Sequence, residues 1–107
     1  MKPAMAMEFT PRRIYWRPRG MGPLPPGARS VMRPSRWGNP FRIPHAQRHD
    51  PAAHAAAVAW FRDVHLPGHL ELVAAARHDL RGHDLTCACP PDLACHGDIW
   101  VRVANST

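Results

Sequence analysis

Short groups of apolar residues, separated by segments rich in proline and glycine, predict three strands in this chain. Ile14-Tyr15-Trp16 lies between prolines and is typical of an edge strand, because proline cannot donate to a β-ladder. The segment 28–33 predicts a second strand around Val31. In the segment 84–89 the residues on both sides are apolar or small, which indicates a third strand covered on both faces.

Three further segments have the three- and four-residue apolar spacing that predicts an α-helix. Asp50-Pro51 starts the first, over 52–65, because Asp caps free amides and proline suits the first helical position. The second is predicted over 69–80, followed by a left-handed Gly82, and the third over 96–104. The order strand, strand, helix, helix, strand, helix predicts an α/β (or α+β) fold, a small sheet partly covered by helices.

The same spacing indicates which helical side chains face the core. The predicted inward positions of the first helix are Ala53, Ala57, Trp60 or Phe61, and Val64. Those of the second are Leu70, Val73 and Leu80, with Arg77 at the edge of the apolar stripe. His54 and His65 are expected at the surface, where most lone histidines on helices lie.

A chain of 107 residues has room for one domain, which we assign to residues 11–107, with 1–10 as a frayed leader. No apolar run approaches the roughly 18 residues that a membrane-spanning helix needs. Three cysteines are a poor disulfide framework, and reduced thiols are normal in the cytosol. We therefore expect a cytoplasmic protein without a membrane partner.

Positive charge is concentrated in the first part of the chain. Residues 1–42 have a net charge of +8, whereas residues 43–107 have −2. A basic segment favours an anionic partner: a small molecule, a nucleotide or, with weaker support, a nucleic acid. Alternatively, the arginines reflect GC-rich coding, because alanine and proline are abundant as well.

The segment 33–41 combines two arginines, two aromatic residues, a glycine and an asparagine between prolines, and it predicts an irregular loop. Two large rings so close together indicate that this loop packs against the domain. Gly38 permits a close backbone approach. A rigid loop that carries Arg36 and Asn39 is suited to bind an anionic or polar ligand. Alternatively, its rings close the edge of the core and Arg36 is solvated.

All three cysteines lie in the segment 87–98, with a histidine and an acid beside the last of them. In one interpretation Cys95 is a reactive thiol at a helix N-terminus, where the dipole and free amides stabilise a thiolate. His96 then supplies a base or a positive charge, Asp98 orients it, and Arg36 holds an anion.

Two other interpretations of the cysteines remain. Cys87, Cys89, Cys95 and His96 are a familiar donor set for zinc. Their spacing disfavours this, because usual sites pair ligands as C-x₂₋₄-C and because adjacent helical residues point about 100° apart. In the third interpretation the cysteines are small core residues, most clearly at Cys87. The residues favour a reactive or ligand-binding site without a cofactor, with zinc as the alternative.

Several sequence blocks resemble the domain of unknown function 4326 family, a group of small bacterial and phage proteins. They are RWGNPF at 36–41 and the cysteine block at 87–98, which reads C-A-C-P and then C-H-G-D. Leu80-Arg81-Gly82 and Ala104-Asn105 match as well. The chain departs at Ala88, where the family often has an aromatic residue.

The resemblance, which extends from Arg12 to Asn105, implies a fold and the position of a site, but no reaction. The matched site positions are Trp37, Gly38, Asn39, Cys89, Cys95, His96 and Asp98. We expect the RWGNPF loop, which also carries Arg36, and the CHGD helix start to face each other across the end of the sheet. Three functions fit these residues. The first is a ligand-binding or catalytic pocket for a nucleotide, a nucleic-acid component or another anionic metabolite. The alternatives are a binding module that is stabilised by zinc or associated with nucleic acid, and a phage–host interaction protein whose motif is purely structural.

Overall fold

The computed structural model of the protein describes residues 10–106, so the predicted leader lies, except for Thr10, outside the described residues. The strands are β1 (Arg13–Tyr15), β2 (Arg29–Ser30) and β3 (Leu85–Cys87). The α-helices are α1 (Pro51–Trp60), α2 (Leu70–Asp79) and α3 (His96–Ala104). The predicted α/β fold is confirmed. Within residues 10–106, none of the helices has the length and apolar character needed to cross a membrane.

The sheet is parallel, and its order β1-β3-β2 places the last strand of the sequence in the middle. Arg13 of β1 and Arg29 of β2 both align with Leu85 of β3. β1 lies at an edge, as its flanking prolines predict. β2 is shorter than predicted, although the Val31 amide continues its ladder by donating to the Thr86 carbonyl at 3.1 Å. A fully buried β3 agrees with the prediction of a strand covered on both faces.

Helix α3 connects the sheet to the other helices. It packs against β1 and β3, and both α1 and α2 pack against it. Its Trp100 is fully buried. The Trp100 ring makes edge-to-face contacts with Trp37, at 5.3 Å between ring centroids, and with Phe61, at 5.4 Å. The indole Nε1 donates to the Trp37 carbonyl at 2.8 Å. The RWGNPF loop is therefore attached to the core through α3.

Helix α1 begins as predicted, because the Asp50 side chain accepts a hydrogen bond from the Ala52 amide at 3.0 Å. It continues into one π-helical turn, Phe61–His65. A π turn holds more residues than an α turn, so the side chains within and after it are rotated relative to regular α-helical spacing. Val64 is consequently 56% exposed, and the prediction that it faces the core is wrong.

Two other predictions on the helices are wrong. His54 is buried, because its ring nitrogens find protein partners: Nε2 lies 2.7 Å from the Arg48 carbonyl oxygen and Nδ1 lies 3.3 Å from that of Ala94. On α2, Leu70 is 68% exposed, because the helix presents Ala76 to the core instead.

Candidate metal centre and ligand cavity

The three cysteines meet at one end of the sheet. The Sγ atoms of Cys87, Cys89 and Cys95 all lie within 4.8 Å of one another. Cys87 ends β3, and Cys89 follows two residues later with its sulfur 3.7 Å away. Cys95 reaches the same point from the start of α3. This cluster could hold a metal ion.

Cys95 is the N-cap of α3 and has an extended backbone, with φ −146° and ψ 145°. Its sulfur accepts a hydrogen bond from the Gly97 amide at 3.4 Å. His96, the first helical residue, places its Nδ1 3.7 Å from the Cys95 sulfur. The geometric reason for expecting that Cys95 and His96 do not share one ion assumed a helical Cys95, whereas Cys95 is extended; His96 nevertheless stays outside the set of donor atoms that lie within 4.8 Å of one another.

The imidazole of His96 is held in one orientation. Its Nε2 lies 2.7 Å from the Val31 carbonyl oxygen, which can only accept, so Nε2 carries the hydrogen. In the neutral ring the lone pair is then on Nδ1, which faces the Cys95 sulfur. Metal-binding histidines commonly donate their other ring N–H to a backbone carbonyl in this way.

Hydrogen bonds within the cluster shift the thiol pKa values in opposite directions. The pKa of Cys87 is lowered, because the other two thiols hydrogen-bond to its sulfur. The pKa of Cys89 is raised to about 11, chiefly by its hydrogen bond to Cys87. The pKa of Cys95 is also raised, by hydrogen bonds to both partners and by burial. A cation bound among these sulfurs would release their protons, because thiolates are the metal-binding form.

Arg13 organises the loop 90–94, and the sequence reasoning missed it. Its side chain is 10% exposed, and Nε donates to the Asp98 carboxylate at 2.8 Å. Nη2 donates to the carbonyls of Leu93 at 3.0 Å and Pro91 at 3.2 Å. One guanidinium thus joins β1, the loop and α3. The available signal was a basic residue at the start of an otherwise apolar edge strand.

Asp98 lies on the side of α3 that faces Arg13. In the described part of the chain its carboxylate pairs with Arg13 and makes no hydrogen bond to His96. The structure therefore does not place Asp98 where it would orient the imidazole.

A cavity of about 480 Å³ opens beside the sulfur cluster. All three cysteines line it together with His96, and from the RWGNPF loop Asn39 and Phe41 do so as well. The loop and the helix start therefore border one space at the end of the sheet.

The cavity wall is basic. Arg17, Arg33 and Arg48 line it, all three are exposed, and no Asp or Glu is among its lining residues. The remaining lining residues are mostly apolar, and Tyr15 and Phe41 are among them. The cavity thus offers cationic groups and flat apolar surface to a ligand.

Asn39 borders the cavity but uses its side chain to fix the loop. Its Nδ2 donates to the Ala57 carbonyl of α1 at 3.1 Å, and its Oδ1 accepts from the Phe41 amide at 2.9 Å. Gly38 is required by packing, because a Cβ there would lie 2.6 Å from Cγ of Arg33 and 3.0 Å from its Cα. Trp37 is buried against α3.

Arg36 lies outside the cavity. Its guanidinium stacks over the Trp37 ring, 4.5 Å from the centroid, and contacts the Asp79 carboxylate at 3.4 Å. It lines a second groove instead. The structure therefore separates Arg36 from Cys95 and His96, which the sequence analysis had grouped with it.

Two other matched blocks hold the far end of α3. Arg81 Nε donates to the Ala104 carbonyl at 2.9 Å, and the Gly82 amide donates to Asn105 Oδ1 at 3.0 Å. Gly82 has the predicted left-handed conformation, with φ 81°. These residues attach the end of α3 to the turn before β3, and none of them lines the cavity.

Comparison with known sequences agrees with these motifs. The family described as Domain of unknown function (DUF4326) matches residues 17–106. No curated protein and no solved structure matches the chain. The matched range contains the RWGNPF loop, all three cysteines and α3, and it covers well over half of the sequence. The chain therefore belongs to the domain of unknown function 4326 family.

Proposed function

We propose that this domain binds a zinc ion through Cys87, Cys89 and Cys95, beside a cavity that receives an anionic ligand. The observation that supports this most is the spacing of the sulfurs. Two sulfurs bound to one tetrahedral zinc at about 2.3 Å lie about 3.8 Å apart. The Cys87 and Cys89 sulfurs are 3.7 Å apart, so they need almost no rearrangement to share an ion.

His96 is the proposed fourth donor; its ring must shift towards the other two cysteines on binding, because only the three sulfurs now lie within 4.8 Å of one another. A sulfur and an imidazole nitrogen that share a zinc lie about 3.6 Å apart. Nδ1 of His96 lies 3.7 Å from the Cys95 sulfur and carries the lone pair, since Nε2 donates to the Val31 carbonyl. The resulting Cys₃His set is a common structural zinc site.

The donor chemistry favours zinc over other metals. Thiolates are soft ligands that select zinc, copper(I) or iron–sulfur clusters. An iron–sulfur cluster usually takes four cysteines, and the whole sequence contains three. A thiolate zinc site also requires reduced cysteines, which agrees with a cytoplasmic location.

The proposed ligand is anionic because of the cavity wall. Arg17, Arg33 and Arg48 line a space that no carboxylate lines, so a negative ligand group finds cations there without competition from Asp or Glu. Tyr15 and Phe41 offer flat surfaces to an apolar part of the same ligand. A nucleotide has both features.

A second candidate is the reaction predicted from the sequence, with Cys95 as nucleophile and His96 as its base. The contact of 3.7 Å between Cys95 Sγ and His96 Nδ1 supports it. The burial of Cys95 and its raised pKa disfavour it, because the reactive species is an accessible thiolate. We therefore place the metal proposal first.

Metal content tests the proposal directly. Protein purified without chelators should contain about one zinc per chain, and cobalt substitution should give the charge-transfer absorption of thiolate ligands. Cys89→Ser should lower zinc affinity at least tenfold. Ala88→Ser is the matched control, because it adds a hydroxyl beside the cluster and keeps all three thiols.

Two results would overturn the metal proposal. One is the absence of both zinc and the cobalt absorption in folded wild-type protein. The other is rapid alkylation of Cys95 by iodoacetamide before any chelator is added, faster than for a thiol of pKa about 8.5. The second result would establish the nucleophile instead, whereas slow alkylation that chelator accelerates supports the bound metal.

A further inference from the structure

We propose that the anionic ligand is a single-stranded nucleic acid, which runs from the cavity over the RWGNPF loop into the second groove. This inference rests on the anionic ligand proposed above and specifies it. The second groove has a volume of about 420 Å³ and is lined mainly by the loop and by residues that follow α1. It gives the ligand a path beyond the cavity.

The two spaces adjoin. Arg33 lines both the cavity and the second groove, so its side chain forms part of the boundary between them. The loop continues on both sides of this boundary, with Arg36 and Arg42 in the groove and Phe41 in the cavity. A ligand longer than one nucleotide can therefore contact both spaces.

The basic lining continues from one space to the other. Arg33, Arg36 and Arg42 line the second groove, and again no Asp or Glu is among its lining residues. Asp79, which is not among the lining residues, contacts Arg36 at 3.4 Å. Both side chains are about half exposed, at 56% and 48%, so water and salt screen this pair and it is weak. Arg36 can exchange this partner for a phosphate.

An aromatic residue lies along the proposed path. Phe41 is 37% exposed, lines the cavity, and is supported from behind by Trp60, with ring centroids 5.8 Å apart. Arginines beside an exposed ring are the combination that binds single strands, with phosphates on the cations and bases stacked on the aromatic face. A duplex keeps its bases stacked inside, so it would leave Phe41 without a partner.

Binding of a fluorescent oligonucleotide of thymidines, about 20 long, measured by anisotropy, tests this inference. Affinity should fall with salt, and the double variant Arg36→Ala/Arg42→Ala should lower it about 25-fold at 0.1 M salt, as expected for two lost phosphate contacts. The salt slope should become shallower by about 1.4. Phe41→Ala should weaken binding and leave the slope unchanged, because stacking releases no counterions.

The matched control is Arg62→Ala/Arg102→Ala, which removes the same charge from two exposed residues that line neither space. The inference is wrong if this control weakens binding as much, if duplex DNA binds as tightly, or if a free thymidine nucleotide competes as well as the oligonucleotide. It is also wrong if no oligonucleotide binds at low salt. Zinc content, measured on the same samples, tests the metal proposal separately, because Arg36 and Arg42 do not line the cavity that contains the cysteines.

Discussion

Arg13→Met is expected to destabilise both the fold and the metal centre, because one guanidinium supports three parts of the chain. Nε pairs with Asp98 at 2.8 Å, while Nη2 donates to two carbonyls of the loop 90–94. Nη1 reaches the Cys89 carbonyl at 3.4 Å. The methionine keeps most of the apolar stem, so the variant removes these polar contacts with little loss of packing.

The magnitude follows from the burial of the two charges. Removing one partner of a buried ion pair costs about 3–5 kcal/mol. Arg13 is 10% exposed, but Asp98 is 47% exposed and regains water when the guanidinium is removed. Because of this exposure, we expect Arg13→Met to lower the free energy of unfolding by only about 2–3 kcal/mol. Because the loop 90–94 connects Cys89 to Cys95, loss of this outer-shell support should also weaken zinc binding about 10- to 100-fold.

Urea unfolding of the metal-free protein measures the first effect, and competition with a chromophoric chelator measures the second. Arg12→Met is the matched control, because Arg12 is exposed and adjacent, and its described hydrogen bond to Asp84 uses the backbone amide. Arg13→Lys should recover part of the stability and little of the zinc affinity. A lysine keeps the charge but cannot reach Asp98 and the loop carbonyls together.

The reasoning is refuted if Arg13→Met and Arg12→Met differ by less than about 0.5 kcal/mol in free energy of unfolding, the range of ordinary surface substitutions. If Arg13→Met lowers stability and zinc affinity is unchanged, the contacts support the fold without positioning the cysteines.

Two further substitutions test the packing around the site. Gly38→Ala should lower the free energy of unfolding by about 1–3 kcal/mol, because the new methyl group would overlap Arg33, including its backbone. Thermal unfolding measures this loss, with Gly68→Ala as the control, since a Cβ at Gly68 meets nothing within 4 Å. Equal losses of stability in the two variants would contradict the prediction. Thr86→Val should raise the free energy of unfolding by about 1 kcal/mol, since Oγ1 is buried without a hydrogen-bond partner among residues 10–106. Denaturant titration of Thr86→Val tests this, and a loss of stability would indicate a bound water or another partner.

Local signals predicted much of the fold. The bounds of α3, the cap at Asp50 and the left-handed Gly82 each depend on neighbouring residues, which a sequence displays directly. Val64 was misplaced because regular spacing cannot anticipate a π turn. His54 was misplaced because one of its partners, the Ala94 carbonyl, lies 40 residues along the chain and only the fold brings it close.

The candidate site was predicted in part for the same reason. The sequence located the cysteines and His96, whose short spacings place them near one another. Arg13 was missed because its partners lie 76 to 85 residues further along the chain. Arg36 was grouped with the cysteines because arginine commonly binds anions. The loop instead places its guanidinium over the Trp37 ring, outside the cavity that the cysteines line.

The position of β3 has a consequence for how the protein is made. β1 and β2 pair with β3 and not with each other, and β3 begins at residue 85 of the chain. All residues before β3 are therefore synthesised before either early strand has a neighbour, and until then the apolar residues of both early strands are open to other chains. Because Cys87 ends β3, the proposed metal centre cannot form before the sheet does. We expect the domain to fold abruptly once β3 and α3 have been synthesised, and zinc supply at that moment to determine how much of it escapes aggregation.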